Sequence, residues 1–284
     1  MNIIFFGTPK EVIPVLKSLV THFDVVAVVT TPDQKSGRKQ QLTPTPIKTW
    51  ANEHLIDVLT PHTFDAETIE QIKKYQADLF IVAAYGQIIP NDILSIPSHG
   101  AINIHPSLLP KYRGPTPIQT ALINGDRDSG VTFIKMDEKM DHGPILHQIP
   151  FKLETSDTFA WLMQSKFAQA AQVLPRIVED YVTRKINPIP QDDSSATYTK
   201  LLTKEDGHID LTHPPKKEEF NHMVHAYYPW PTVWTKTILK DREMIIKFLP
   251  DNKIQVEGKN PVSYKDFLNG YPEMKEILEN LFNK

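Results

Sequence analysis

An unusually apolar run at residues 78–84 is the feature that most constrains how this chain can fold. A strand of this composition suits the centre of a parallel sheet, where both of its faces are buried. Two earlier apolar runs, at residues 3–6 and 25–29, flank a segment whose apolar positions recur at helical spacing. A strand, a helix and a second strand without a hairpin signal predict parallel pairing. We therefore expect an α/β fold whose first domain is built on a Rossmann-like, mostly parallel sheet.

The turn after the first predicted strand limits which cofactors the sheet can bind. It contains Gly7, Thr8 and Pro9. Threonine is a favourable N-cap and proline suits the first helical turn, so a helix should begin here. A dinucleotide site normally has Gly-x-Gly-x-x-Gly at such a turn. The single glycine therefore argues against a dinucleotide-dependent oxidoreductase.

The carboxyl-terminal third has a different pattern and predicts a second, smaller domain. Residues 187–202 are polar and contain proline, as is typical of a linker. Short apolar runs follow it, separated by turn residues, at 209–211, 233–239, 243–248 and 253–256. Several short strands of this kind favour a small β-barrel. We expect a first domain at 1–186, a linker at 187–202 and the small β-barrel at 203–284.

Composition excludes several kinds of chemistry and location. The 284 residues include no cysteine, which excludes disulfides, thiol nucleophiles and cysteine-ligated zinc. The amino terminus lacks the basic lead and apolar run of a signal peptide. No stretch approaches the roughly 20 apolar residues of a membrane helix. We expect a cytoplasmic monomer with no membrane partner.

The charge balance provides no overall attraction for nucleic acid. Lysine and arginine number 31 against 34 acidic residues, which gives a net charge of −3. From residue 200 onward the two signs balance at 13 each. An RNA ligand would therefore depend on local basic patches.

Three polar residues mark a candidate site around a later apolar strand. Asn103 and His105 lie two apart among isoleucines, so one face of the strand presents an amide and an imidazole together. Pro106 ends the strand because it has no N–H to donate, and open α/β sheets bind ligands at such strand ends. Asp141 follows further along the chain. A proton-exchanging imidazole, a carboxylate and a donating amide suit the attack of an amine on a carbonyl carbon.

Spacing alone leaves structural roles open for these residues. A histidine at a strand end is commonly a structural hydrogen bonder, Asn103 could satisfy a turn, and Asp141 could shape a loop. His222 and His225 have a helical spacing that could hold a metal, but no third ligand lies nearby in the sequence. We therefore expect no metal site.

Longer motifs favour the catalytic interpretation through a family resemblance. The run Asn103-Ile-His-Pro-Ser-Leu-Leu-Pro-Lys-Tyr-Arg-Gly, with Asp141 downstream, resembles the formyltransferase family that uses 10-formyltetrahydrofolate. Within this family, the chain is most similar to the members that formylate initiator methionyl-tRNA. The further motifs that carry this similarity lie at residues 3–9, 36–48, 83–90, 203–210 and 228–231.

The resemblance implies a role for individual residues. Asn103, His105 and Asp141 would be catalytic. The residues that would bind 10-formyltetrahydrofolate are Tyr85, Gly86, Ser107, Leu108, Leu109 and Pro110. Arg38 and Lys39 would contact initiator methionyl-tRNA. Residues 1–186 would form the catalytic domain and residues 203–284 a tRNA-binding domain of OB-like type, with no metal involved.

Two departures from the family pattern concern the geometry of the pocket. Pro115 follows Gly114 where alanine is usual, and His142 follows Asp141 where threonine is usual. We expect His142 to be a surface substitution. The loop around it is also similar to that of relatives that act on glycinamide ribonucleotide, so this loop alone leaves the acceptor open.

Three other functions remain open at this stage. The same triad would support formyl transfer to an amino sugar on a nucleotide, or hydrolysis of the formyl folate. The third function is that of a non-catalytic RNA-binding protein with this fold. Under this alternative, the side chains of Asn103, His105 and Asp141 would not converge.

Overall fold

The computed structural model describes residues 1–36 and 40–282 and divides into two compact units. Unit 1 consists of Met1–Pro115, Ser129–Phe151 and Met163–Tyr198. Unit 2 consists of Thr116–Asp128, Lys152–Leu162 and Thr199–Lys284. Each unit therefore draws on more than one segment of the chain.

The secondary structure alternates between strands and helices in unit 1 and is rich in short strands near the carboxyl terminus. The strands are β1 (Asn2–Gly7), β2 (Asp24–Val29), β3 (Gln34–Ser36), β4 (Gln41–Thr43), β5 (Asp57–Leu59), β6 (Leu79–Ala83), β7 (Ala101–His105), β8 (Asp128–Lys135), β9 (Ile145–Lys152), β10 (Val233–Leu239), β11 (Arg242–Leu249), β12 (Lys253–Val256) and β13 (Val262–Ser263). The helices are α1 (Ile13–His22), α2 (Pro46–Glu53), α3 (Ala66–Lys74), α4 (Asn91–Leu94), α5 (Pro117–Ile123), α6 (Phe159–Val182), α7 (Lys217–Tyr227), α8 (Tyr264–Gly270) and α9 (Lys275–Phe282).

A seven-stranded sheet in the order β5-β2-β1-β6-β7-β8-β9 forms the centre of unit 1. The five strands from β5 to β7 pair in parallel, and β8 runs antiparallel to β7. The predicted α/β fold with a mostly parallel sheet is therefore confirmed. The chain moves outward from β1 to β2 on one side and returns to β6 on the other. The carboxyl ends of β1 and β6 thus border a topological switch point, where open α/β sheets bind their ligands.

Strand β6 is the predicted apolar run, and every one of its residues is buried. Ile81 packs into one cluster with α1 residues such as Leu16 and α6 residues such as Leu174. Phe80, on the other face, packs with Ile72 of α3 and Ile93 of α4. Alternation of side chains along a strand places successive residues on opposite faces. This double burial explains why β6 carries no polar residue.

The first turn differs from the sequence-based prediction. Thr8 does not cap a helix; its hydroxyl donates to the Tyr85 carbonyl at 2.7 Å. A short 3-10 turn at Lys10–Val12 precedes α1, which begins at Ile13. The threonine therefore connects the ends of β1 and β6 across the switch point.

Unit 2 contains an antiparallel sheet whose strands β10, β11, β12 and β13 pair in sequence order. The predicted carboxyl-terminal β structure is therefore confirmed. The strand predicted at 209–211 is wrong, because the Asp210 side chain accepts hydrogen bonds from the Thr212 N–H and hydroxyl and forms a turn. Aromatic rings from α7, β11 and α9 pack together beside the sheet, among them Phe220 and Phe248 with centroids 5.2 Å apart. Within the described residues, no helix is long and apolar enough to cross a membrane.

Burial in β6 should dominate the stability of unit 1. Replacing Ile81, which is fully buried, by alanine should lower the free energy of unfolding by about 2–5 kcal/mol, because the change leaves a cavity. The same change at Ile88, which is 81% exposed, should alter it by less than about 0.5 kcal/mol. Urea titration of both variants tests this, and equal losses would contradict it.

Candidate active site

The predicted catalytic side chains converge on one face of β7. Asn103 and His105 share the face that also carries Ala101, and Asn103 lies in register with Val82 of β6. Asp141 reaches them from the loop between β8 and β9. Its Oδ1 accepts a hydrogen bond from the Asn103 Nδ2 at 3.1 Å and lies 3.6 Å from the His105 Nδ1. The amide, the imidazole and the carboxylate therefore form one cluster in unit 1.

The imidazole of His105 is oriented by the main chain. Its Nε2 lies 2.9 Å from the Tyr112 carbonyl oxygen. Because a carbonyl only accepts, Nε2 must carry the hydrogen. The other nitrogen, Nδ1, is then the one that faces Asp141 and can exchange a proton. This role of Tyr112 has no signature in residue type, because every residue has a main-chain carbonyl.

The Asp141 carboxylate is fixed on both of its oxygens. While Oδ1 meets Asn103, Oδ2 accepts from the Gly114 N–H at 2.8 Å. The backbone of Asp141 has a φ of 47°, in the left-handed region. That region costs an L-residue roughly 1–2 kcal/mol and persists where surrounding contacts enforce it. The side chain is only 15% exposed, so its position is closely determined.

Gly143 permits the turn of this loop. A Cβ added there would overlap the carbonyl oxygen of Lys135, which is backbone and cannot move aside easily.

Next to Gly143, His142 connects two carboxylates, with Nδ1 2.6 Å from Asp137 Oδ2 and Nε2 3.3 Å from Asp193 Oδ2. His142 is expected from the sequence to be a surface substitution; its side chain is 29% exposed, and its ring also cross-links the loop. Hydrogen bonding from Arg113, followed by the charge of His142, lowers the pKa of Asp193.

The residues that the resemblance implied for folate binding lie in two segments next to the triad. Gly86 has a φ of 88° and nothing within 4 Å of an added Cβ, so the backbone there is open to an approaching ring. Tyr85 is buried, its hydroxyl donates to Gln87, and burial raises its pKa well above the usual range for tyrosine. These features fit a flat, largely uncharged group lying against the ends of β6 and β7.

The segment after β7 is firmly packed. The Ser107 hydroxyl donates to the Lys111 carbonyl, and the Leu109 N–H donates to the Thr132 hydroxyl. Leu108 contacts Gly130, where an added Cβ would meet its side chain. The carbonyl of Pro110 accepts from the Thr197 N–H. These groups are already bonded, so they would shape the wall of a pocket more than they would hydrogen bond to a ligand.

Two predicted contacts cannot be placed relative to this cluster, and one cavity lies apart from it. Arg38 and Lys39 lie outside the described residues. A cavity of about 980 Å³ is lined by Gly100, Lys135 and Arg184, among others, and lies at the amino-terminal end of β7. The triad lies toward the opposite end of that strand, so we place the site by the triad. Among residues 1–36 and 40–282, no group of three or more acidic or histidine side chains could hold a metal.

Comparison with known proteins places this chain in a defined class. Residues 1–178 match the family model described as formyl transferase. The chain belongs to the formyl transferase family. Methionyl-tRNA formyltransferase from Roseiflexus sp. strain RS-1 is 42% identical to it over 246 residues, which are 84% of this chain and 75% of the relative.

Solved structures share the fold at lower identity. Methionyl-tRNA formyltransferase from Clostridium thermocellum has a TM-score of 0.59 and 18% identity, over 93% of this chain and 99% of that one. The N-formyltransferase from Helicobacter canadensis, solved with folinic acid and dTDP-3-aminofucose, has a TM-score of 0.59 and 17% identity, over 89% of this chain and 93% of that one. At these identities the likeness concerns the fold alone.

Because an added Cβ has no space at Gly143, its replacement by alanine should displace the loop that carries Asp141. A shift of about 1 Å in a catalytic group can cost about 100-fold in rate, so formyl transfer should slow by about that factor. Gly270→Ala is the matched control, since nothing lies within 4 Å of its added Cβ. Steady-state turnover of both variants checks this, and normal turnover in the Gly143 variant would refute it.

Proposed function

We propose that this protein transfers a formyl group from 10-formyltetrahydrofolate to the α-amino group of methionyl initiator tRNA. The observation that carries the proposal is the convergence of Asn103, His105 and Asp141 in a chain 42% identical to a methionyl-tRNA formyltransferase. The donor supplies an activated formyl carbon. The acceptor supplies a neutral amine that forms the new C–N bond, while the bond from the formyl carbon to the folate nitrogen breaks.

Asn103 stabilises the formyl oxygen as it gains negative charge. Its amide has two N–H groups, and the hydrogen bond to Asp141 uses one of them. The second can donate to the developing oxyanion, a contact whose loss typically costs about 100- to 1,000-fold in rate. The bond to Asp141 also fixes which way the amide points.

His105 and Asp141 move the protons. With Nε2 held by the Tyr112 carbonyl, Nδ1 faces the carboxylate 3.6 Å away and, when it carries a proton, can stabilise the same oxygen. Asp141 assists removal of the proton that the amine loses on attack, and a proton returns to the folate nitrogen as it leaves. General acid–base assistance of this kind contributes roughly 100- to 10,000-fold.

The donor is proposed to bind beside Tyr85 and Gly86, against the wall formed by Ser107, Leu108, Leu109 and Pro110. The open backbone at Gly86 supports this placement. No step in this chemistry requires a metal.

The acceptor is proposed to bind through two parts of the chain. Arg38 and Lys39 would contact the acceptor end of the tRNA, where arginine can hold phosphate with two parallel hydrogen bonds. Residues 203–284 would form the tRNA-binding domain, joined to the catalytic domain at 1–186 through 187–202. We further propose that the enzyme acts as a cytoplasmic monomer.

An acceptor panel distinguishes this function from its alternatives. Initiator methionyl-tRNA, elongator methionyl-tRNA, amino-sugar nucleotides and water are each supplied with 10-formyltetrahydrofolate. We expect product with initiator methionyl-tRNA at a rate well above the others. Faster transfer to an amino-sugar nucleotide, or release of formate alone, would replace the proposal with the corresponding alternative, and no turnover with any acceptor would reject catalysis.

His105→Ala should reduce formylation of methionyl-tRNA below detection, because the variant lacks the imidazole whose N–H stabilises the formyl oxygen in the proposed mechanism. Asn103→Ala and Asp141→Ala should do the same. The fold should remain, as judged by circular dichroism and urea titration. His54→Ala is a control at an exposed histidine that follows the last residue of α2. Near-normal turnover in the His105 variant would overturn the mechanism.

Arg38→Ala should raise the KM for methionyl-tRNA about tenfold, since it removes a bidentate phosphate contact, and should leave the KM for the folate unchanged. Lys35→Ala, at an exposed position of β3, serves as a control for the loss of a positive charge nearby. The measurement is steady-state kinetics at fixed ionic strength. An equal effect in both variants would show that net charge, and not Arg38 itself, matters.

A further inference from the structure

Residues 191–198 lie within the segment that the sequence predicts to be a linker, yet they bond to the loop that carries Asp141 and to the segment that orients His105. The Gln191 Nε2 donates to the carbonyl of Asp141 at 2.9 Å and to the carbonyl of Gly143 at 2.7 Å. One side-chain amide therefore spans the turn that carries the carboxylate. The contact joins residues 50 positions apart in the sequence.

The other end of the same amide is held by a buried cation. Gln191 Oε1 accepts from the Arg113 Nε at 3.1 Å and Nη2 at 2.9 Å. The side chain of Arg113 is 1% exposed, and the next residue, Gly114, donates its N–H to the Asp141 carboxylate. Gln191 thus connects the loop bearing Asp141 to the segment that holds the carboxylate from the other side.

These contacts use the full hydrogen-bonding capacity of a glutamine side chain. It has two N–H donors and an oxygen with two lone pairs, and the four bonds above match that inventory. A glutamate of the same size would direct an anionic oxygen at two carbonyls. A lysine would bring a second positive charge against Arg113. The geometry is therefore specific to an amide.

The same segment also fixes the carbonyl that orients the imidazole. The Tyr112 N–H donates to the Thr197 hydroxyl at 2.8 Å, and the Arg113 N–H donates to the Thr197 carbonyl at 2.8 Å. Tyr112, like Asp141, has a left-handed backbone, with a φ of 63°. Its carbonyl is the acceptor for His105 Nε2. Tyr112 and Asp141, two non-glycine residues of the site with left-handed backbones, are thus both bonded to residues 191–198.

We infer that residues 191–198 act as a clamp on the catalytic groups and that Gln191 is a positioning residue for formyl transfer. Gln191 sets the location of the Asp141 carboxylate through the main chain on either side of His142, without touching the reacting atoms. The inference rests on the proposed function, because it names a residue that serves that reaction.

The test is Gln191→Glu, which keeps the size of the side chain and replaces its donors with an anionic oxygen. We expect kcat for methionyl-tRNA formylation to fall about 10- to 100-fold, because repulsion from the two carbonyls shifts Asp141. The KM for methionyl-tRNA should change by less than about twofold, because Gln191 does not contact the acceptor. A general loss of folded protein would also leave this KM unchanged, so the cycle described next separates the two effects. Asn187→Asp, the same amide-to-acid change at an exposed position, is the control and should keep normal kcat.

A double-mutant cycle separates positioning from general damage. Single-turnover rates are measured with excess enzyme for Asp141→Asn alone and for Asp141→Asn with Gln191→Glu. If Gln191 acts through Asp141, the second change should slow the double variant by less than about twofold. Slowing by the full factor seen in Gln191→Glu alone would overturn the inference, as would an unchanged kcat in that single variant.

A second variant covers loss of folding. If urea titration shows Gln191→Glu unfolded, Gln191→Met removes the hydrogen bonds without adding charge and takes its place in the same cycle. The wild-type enzyme is assayed alongside. Wild-type protein that formylates no acceptor would reject the proposed function, whereas an active wild type with additive variants would reject only the clamp.

Discussion

The carboxylate of Asp141 is the interaction on which the rest of the site depends. It accepts from Asn103 on one oxygen and from the main chain of Gly114 on the other, and it lies beside the imidazole of His105. A carboxylate that is largely shielded from solvent, as this one is at 15% exposure, is stable only where hydrogen bonds replace the water it has lost. Because these partners come from β7 and from the segment that follows it, this carboxylate fixes both of them relative to the loop after β8.

The sheet supplies the rigid frame for that geometry. Strand β6 is buried on both faces, and its register with β7 sets Asn103 opposite Val82. A shift of one residue would turn Asn103 and His105 into the opposite face of the sheet. The apolar core therefore does more than stabilise the fold, since it fixes which side of the sheet presents the amide and the imidazole. The chemistry proposed here needs both on the same side as Asp141.

Loop residues outside the sheet complete the geometry of the site. Tyr112 and Asp141 both have left-handed backbones, which are unfavourable for residues other than glycine. Their conformations are maintained by hydrogen bonds with residues 191–198, and Gln191 of that segment is in turn held by the buried guanidinium of Arg113. A buried guanidinium fixes the positions of the groups that accept its hydrogen bonds, because each lost contact would leave its charge uncompensated. The family's Tyr-Arg-Gly motif thereby gains a structural explanation.

The sequence by itself determined the class of fold, the central strand β6 and the identity of the three polar residues that meet. Hydrophobic periodicity follows from local chain geometry, and the polar motif depends on residue types, so both can be recognised in one dimension. The domain limits at 1–186, 187–202 and 203–284 and the roles of individual site residues stay predictions. Only the tertiary structure decided that Tyr112 orients His105, that Gly114 binds Asp141 and that Gln191 spans the turn. Those contacts use main-chain groups, which every residue possesses, and they join positions far apart in the chain, so no sequence pattern reveals them.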